Sequence, residues 1–314
     1  MTDPANSLSA FLELWEFFGS ATLAGVIAGA TLGALGVWVV SRRMVFFTAT
    51  LAQTSGLGIV VALIAWHAWF AVEAAHLHEL HAAPGPEKTV FTAAAAFVVA
   101  LATSLVLVGR ADAARRDAWL GWGWIAATAG TLGLGGLVSQ EDIPNITTWM
   151  FSGRGDGGIL APEDLRHVIR TCVPIGLLHL WWFRGFAATT MDAESARVRG
   201  VPVGVLNGAL VVSLAAAVSL CTWELGVLPV FAYSTLPAIA ALRVSSNLWR
   251  AFLLAMAIGA ASGFFGFYLA FRWNLSVGAT QAMTAAAFVL VAEAIALPLG
   301  WWRARQRAAR PSAG

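Results

Sequence analysis

Long apolar runs separated by short polar stretches dominate this chain. Their length is the informative feature. A helix rises about 1.5 Å per residue, so about 20 apolar residues cross a hydrocarbon core about 30 Å thick. Nine stretches meet or approach that length, roughly 17–40, 46–66, 89–109, 118–138, 169–187, 201–222, 226–242, 251–271 and 277–300. The pattern predicts an all-α integral membrane protein with about nine (eight to nine) transmembrane helices, forming one domain over residues 1–314. The seventh run is short and holds Pro229 and Pro237, which predicts a broken span or one that stops short of crossing. Ahead of the first run, Ser7 to Phe18 fits an interfacial amphipathic helix anchored by Trp15. Two substantial polar stretches, about 67–88 and 139–168, read as external loops. No internal repeat or low-complexity segment interrupts the series.

Composition agrees with the pattern. Of 314 residues, 59% are hydrophobic and 11% charged, against about 25% charged in an ordinary soluble domain. The two cysteines, Cys172 and Cys221, lie in apolar runs and read as small hydrophobes. Residues 1–10 contain no basic group ahead of the first apolar run, so no cleaved signal peptide is expected.

The distribution of charge orients the chain, because loops rich in Lys and Arg stay in the cytoplasm. One set of alternate loops holds Arg42 and Arg43, then Arg110, Arg115 and Arg116, then Arg184, Arg197 and Arg199. The same side collects Arg243, Arg250 and the C-terminal Arg303, Arg305, Arg307 and Arg310, giving 14 of the 19 basic residues. The N-terminus is therefore expected outside and the C-terminus in the cytoplasm. Trp66, Trp69, Trp223 and Trp273 fall at outer ends, and Trp38, Trp122, Trp182 and Trp301 at inner ends, as an aromatic belt requires.

Several motifs then point to a family. The cytoplasmic stretch Met191-Asp192-Ala193-Glu194-Ser195-Ala196-Arg197-Val198-Arg199-Gly200 resembles the Asp-Pro-x-x-Ala-x-x-x-Gly segment of zinc/manganese ABC-importer permeases. Leu225-Gly226-Val227-Leu228-Pro229 through Leu236-Pro237-Ala238 is similar to that family's Gly-x-Leu-Leu-Val-x-Ala-Leu-Leu-x-x-Pro-Ala signature. Ser262-Gly263 and Leu275-Ser276-Val277-Gly278-Ala279 resemble its Ser-Gly and Leu-Pro-Ser-Gly elements. Arg42-Arg43-Met44, Asp117 with Gly121, and Ala161-Pro162-Glu163-Asp164-Leu165 follow in order through the N-terminal half, so the resemblance covers nearly the whole chain.

The resemblance implies a homodimer or heterodimer of like permeases around one substrate path in a bacterial plasma (inner) membrane. It implies an ABC ATPase subunit docked on a coupling segment, 189–200, with Asp192, Ala196 and Gly200 at its key positions. It also implies an extracytoplasmic solute-binding protein that delivers zinc or manganese. The chain is not read as an enzyme and is expected to hold no cofactor of its own; no nucleic-acid partner is expected. Its sole lysine, Lys88, follows Glu87 rather than glycine, so it has no phosphate-cradling loop and ATP belongs to the partner chain.

The family's second span carries an Asp-x-x-x-His pair facing the path. Here Ala49 stands in place of the aspartate and Gln53 in place of the histidine. Alanine has no donor atom, and a neutral amide is a poor zinc ligand. The assigned substrate path is Ala49, Gln53, His67 and Pro237. Histidines gather outside instead: His76, His78 and His81, near His67, Glu73 and Glu79, form a candidate metal-collecting group or an ordinary polar loop. His67 shares a helical stripe with Gln53, Leu57, Val60 and Ile64, either lining the outer mouth or hydrogen-bonded at the interface. Three further ionisable groups fall in or near spans. Glu224 is expected at the outer surface, His179 at the inner interface, and Glu293 deeper, paired with an arginine or protonated. Import of a divalent metal leads. The same scaffold with a chelated or non-metal cargo, or a non-transporting partner of an ATPase, stands as the alternative.

Overall fold

The computed structural model describes residues 8–77, 86–108, 113–140, 142–143, 145–155 and 160–308. The described residues form helices and no strands. In the first half these are α1 (Leu8–Glu13), α2 (Trp15–Ser41), α3 (Val45–Leu77), α4 (Pro86–Val108), α5 (Ala113–Gly135) and α6 (Ile146–Ser152). In the second half they are α7 (Pro162–Trp181), α8 (Phe183–Met191), α9 (Ala193–Val198), α10 (Val203–Leu225), α11 (Val227–Val244), α12 (Leu248–Trp273) and α13 (Val277–Ala308). Among the described residues, seven helices are long and apolar enough to cross a membrane: α2, α3, α4, α10, α11, α12 and α13. The fourth and fifth apolar runs also become helices, α5 and α7. The first turns of α7 carry Glu163, Asp164, Arg166 and Arg170, which lower its apolar character.

The bundle is organised around α2. Lipid tails are as apolar as leucine, so helices gain nothing by hiding apolar surface from one another. They associate through close backbone packing, which small residues permit. Gly25 and Gly29 of α2 lie against Gly263 and Gly259 of α12, so tightly that a Cβ on Gly29, Gly259 or Gly263 would strike the facing backbone, and one on Gly25 would strike the Gln281 side chain. Gly33 lies against Ala255 and Pro237, and Gly36 against Ser234 of α11. The α3–α4–α5 group packs by the same means, with Gly58 against Ala96 and Gly130 against Leu57. Helix α10 fills the space between the two groups and is buried along most of its C-terminal half.

Four local outcomes differ from the pattern reading. The proline-bearing seventh run is one unbroken helix: Pro237 sits inside α11, and the glycine opposite, Gly33, leaves room for its ring. The expected loop 67–88 is partly helical, since α3 continues to Leu77 and α4 begins at Pro86. The stretch 139–168 likewise contains α6 and the start of α7. Ser7 to Phe18 is not one interfacial helix. The chain breaks at Leu14, and Phe11, fully buried, inserts among Phe264, Phe267, Tyr268 and Phe271 at ring separations of 5.4–6.3 Å.

The tryptophans divide. Trp69, Trp122, Trp182 and Trp273 are exposed, as interface anchors are, but Trp38 and Trp223 point inward and are buried. Trp38 packs on Phe183, Phe186 and Phe252. Between α10 and α11 the chain turns at one residue, Gly226, with φ +89°. Any side chain there would be strained and would also meet the backbone of Ser152 and Gly153.

Candidate functional site

A cavity of about 400 Å³ opens among α3, α5, α6 and α11. From α3 it takes Ala49 and Gln53; from α5, Trp124, Thr128 and Leu132. Thr147, Met150 and Phe151 of α6, with Val227, Leu228 and Phe231 of α11, complete the wall. The two path residues assigned on α3 therefore come together, one helical turn apart on one face. Two hydroxyl contacts fix the rotation of α3. Thr50 Oγ1 donates to the Leu120 carbonyl at 3.0 Å, and Ser55 Oγ lies 3.1 Å from Ser219 Oγ on α10.

No lining residue carries a carboxylate, imidazole, thiolate or ammonium group. The Thr128 hydroxyl is already committed to the Trp124 carbonyl at 2.7 Å. Gln53 is 9% exposed, and its Oε1 has no hydrogen-bond partner. A buried amide oxygen left unmatched costs free energy unless something fills it. That oxygen is itself enclosed, so the cavity presents an almost wholly apolar wall.

The other assigned path residues lie elsewhere. Pro237 faces α2 and does not line the cavity. His67 is about 20 Å further along α3. Its Nε2 is 2.6 Å from Asp142 Oδ2, and the Lys88 ammonium contacts the other carboxylate oxygen of Asp142 and lies 3.4 Å from His67 Nε2. Lys88 and Asp142 are both buried, so this cluster ties α3, α4 and the segment after α5 together. The side chain of His76 is not described, and His78 and His81 lie outside the described residues. Among the described residues no three His, Cys, Asp or Glu side chains group as metal ligands.

The segment at 192–200 is held at both ends. The Asp192 carboxylate accepts from the Glu194 and Ser195 backbone N–H groups at 3.1 Å each and from the Ser195 hydroxyl at 2.5 Å, capping α9. Those bonds, the Ser195 hydroxyl first, hold the Asp192 carboxyl below its usual range. Gly200, at φ +78°, closes α9 with its N–H bonded to Arg197 O at 3.0 Å, while the N–H of Val201 bonds to Ala196 O at 3.0 Å. Ala196 turns inward at 2% exposure, whereas Met191 and Val198 are exposed at 66% and 89%.

One set of contacts ties the end of α8, just before that segment, to the bundle, and it was not legible in the sequence. Arg42, capping the end of α2, donates to Thr189 Oγ1 and Thr190 Oγ1 of α8 at 3.1 Å each and to Asn207 Oδ1 of α10 at 2.8 Å. The charge-pattern reading saw only a cytoplasmic arginine. Its partners are neutral and lie about 150 residues away, so no local signal marks them.

Of the remaining ionisable groups, two lie deeper in the protein than expected and the third, Glu293, finds an arginine as expected. Glu224 is fully buried rather than at the outer surface, with both carboxylate oxygens unbonded. The ring beside it, Trp223, is covered by the Arg154 guanidinium at 5.1 Å. His179 is fully buried rather than interfacial and stacks on Phe186 at 4.1 Å. Glu293 pairs with Arg243 at 2.9 Å, both half-exposed.

An all-helical, multi-pass bundle with a ligand-sized cavity and a capped, outward-facing segment at one end defines a membrane permease. The chain belongs to the ABC 3 transport family, whose model matches residues 14–296. Among its relatives, the manganese import system permease protein ScaB of Streptococcus parasanguinis is 28% identical over 142 residues, 45% of this chain and 51% of that protein. The match thus spans about half the length of that relative. The high-affinity zinc uptake system membrane protein ZnuB of Buchnera aphidicola is 26% identical over 279 residues, 84% of this chain and 91% of that one. In fold the chain is similar to a chain of PsaBC from Streptococcus pneumoniae in complex with Fab, with TM-score 0.73, 17% identity and coverage of 91% and 95%. It is also similar to an inward-facing conformation of a putative metal-chelate type ABC transporter, with TM-score 0.66, 15% identity and coverage of 91% and 90%. Both structural likenesses concern the fold.

Proposed function

We propose that this chain is the membrane-spanning permease subunit of an importer for a divalent metal, manganese or zinc, in a bacterial inner membrane. A separate ATPase supplies the energy, and an extracytoplasmic binding protein delivers cargo to a dimer of permeases. The chain acts as one domain with about nine (eight to nine) spans, its N-terminus outside and its C-terminus in the cytoplasm, and itself catalyses no reaction. The observation that carries this reading is the capped segment 192–200. It offers Val198 outward and buries Ala196 against the bundle, and the end of α8 just before it is linked through Arg42 to α2 and α10. A rigid element with a partner-facing tip and a charged fork into the spans is what a lever between an ATPase and a substrate path needs. The names of the relatives ScaB and ZnuB support a metal as cargo.

The test is ATP-dependent uptake of radioactive manganese and zinc by proteoliposomes holding the permease and its ATPase. Accumulation of either metal is expected. Asp192→Ala removes the cap and is expected to lower uptake severalfold while ATP hydrolysis continues, whereas Asp192→Asn, an equally good cap, retains it. Absence of metal accumulation with an assembled, hydrolysing complex overturns the reading.

A further inference from the structure

We propose that Glu224 is a proton-binding site, and that Arg154, which serves Asp164 while the proton is bound, pairs with Glu224 when the proton leaves. The site lies outside the cavity and does not rest on the permease reading, so the two stand or fall separately.

The first observation is enclosure. Glu224 lies in the last turn of α10 with no exposed surface, and neither carboxyl oxygen has a hydrogen-bond partner. A carboxylate so placed gives up its hydration for nothing. It also faces the negative end of its own helix dipole. A proton relieves both and needs no space beyond the carboxyl itself. Ionisable groups are costly to keep in a membrane-spanning helix, which marks this one as functional.

The second is an imbalance of charge. The charged groups that act on Glu224 are Arg154, in the turn Gly153–Gly155 after α6, and Asp164, in the first turn of α7. One arginine thus stands beside two carboxyl groups. It goes to Asp164, at 3.4 Å against about 2.7–2.9 Å for a well-made charged pair. Asp164 can spare it, because the N-terminal turn of a helix itself supports a negative charge. Glu163, next to Asp164, is taken up by Arg166. The other titratable neighbours are two thiols and a phenol: Cys221 on α10, Cys172 on α7 at 3.6 Å from it, and Tyr233 on α11. From α3 and α4, the side chains clustered with Trp223 are apolar, Ile59, Val60, Leu63 and Ala96.

The third is reach. The Arg154 guanidinium already covers the ring of Trp223, the residue before Glu224, at 5.1 Å. Its backbone is fixed beside α10, since a Cβ on Gly153 would lie 2.4 Å from the Glu224 carbonyl oxygen. A change of side-chain rotamer carries the guanidinium from one carboxyl to the other. The Arg154 side chain is 37% exposed, so water at this rim delivers and removes the proton. Low pH favours the arrangement seen here, and high pH favours the Arg154–Glu224 pair. Phe151, three residues before Arg154, lines the cavity, so the exchange acts on a segment of its wall.

Infrared spectroscopy of the full chain in lipid nanodiscs tests this, because a protonated carboxyl absorbs apart from a carboxylate. The chain carries isotopically labelled glutamate, which separates its bands from those of aspartate, and spectra are taken as pH is raised. A protonated-glutamate band is expected at neutral pH, declining as pH rises and absent in Glu224→Gln. Asp164→Asn frees Arg154 and is expected to lose most of that band at the same pH. Arg154→Gln removes the partner of the charged form, and its band is expected to persist to higher pH. Size-exclusion profiles identify any variant that fails to fold, and the wild-type titration needs no variant.

A wild-type spectrum without a protonated glutamate, or a band that survives in Glu224→Gln, overturns the proposal. So does a band that ignores both pH and Asp164→Asn, which would describe a fixed neutral acid with no link to Arg154.

Discussion

Arg42 concentrates more of the molecule's organisation than any other side chain described. Its planar fork spans three acceptors on two helices, a geometry that a lysine ammonium cannot reproduce from one point. Arg42→Lys is expected to lower stability by about 2 kcal/mol, the order of the charge-assisted bonds lost, read as a drop in Tm of the purified chain. It is also expected to lower transport coupled to each ATP hydrolysed, because α8 then moves independently of α2. At this scale the sequence was half legible. It marked Ala49 and Gln53 as the anomalous pair, and they do share the cavity. It did not mark Trp124, Thr128 or Phe231, which complete the wall from two other helices. In a helix apolar on every side, hydropathy carries no information on rotation, so nothing local said which face looks inward. The same blindness placed Trp38, Trp223, His179 and Glu224 at surfaces when all four are buried.

At the level of helices, legibility was high, since eight of the nine apolar runs each correspond to one long helix in order and the fifth is divided between α7 and α8. What the runs concealed was where helices stop. Hydropathy falls at the membrane boundary, but backbone hydrogen bonding need not, and α3 carries on through Ala71, Glu73 and Ala74 because good helix formers follow the apolar run. The glycines were visible as residues, yet their pairing across α2 and α12 was not. That pairing gives a direct test. Gly29→Leu drives a side chain into the Gly259 backbone and is expected to prevent a stable bundle. Gly29→Ala should cost about 1–3 kcal/mol, the usual price of overpacking. Membrane yield and Tm of the two variants check the order. Equal stability of wild type and Gly29→Leu would remove α2–α12 from the centre of the fold.

Across the whole molecule, charge asymmetry orients the chain by a rule of biosynthesis rather than by any contact within the folded bundle. Lys88 meets Asp142, Arg154 meets Asp164, and Arg243 meets Glu293, so pairs occur at several levels and do not by themselves separate the two sides. Chemical labelling in intact spheroplasts decides. A cysteine at Val198, 89% exposed in the folded chain, is expected to react with a membrane-impermeant maleimide only after the membrane is opened. Reaction in sealed spheroplasts would invert the orientation and detach the 192–200 segment from any cytoplasmic partner.

The reach of α3 has a mechanical consequence. Its 33 residues make a rod about 50 Å long, well beyond the hydrocarbon thickness. It springs from a tight corner where Arg43, at φ +56°, follows the anchored Arg42. The cavity residues Ala49 and Gln53 sit close to that corner, while His67 rides far out along the shaft. A tilt of roughly 5° about the corner carries the far tip through roughly 4 Å for a shaft of this length, yet shifts the cavity wall by less than about 1 Å. Small angular play at the Arg43 corner is thus geared into a large sweep at the far tip, with the cavity near the still point of such a tilt.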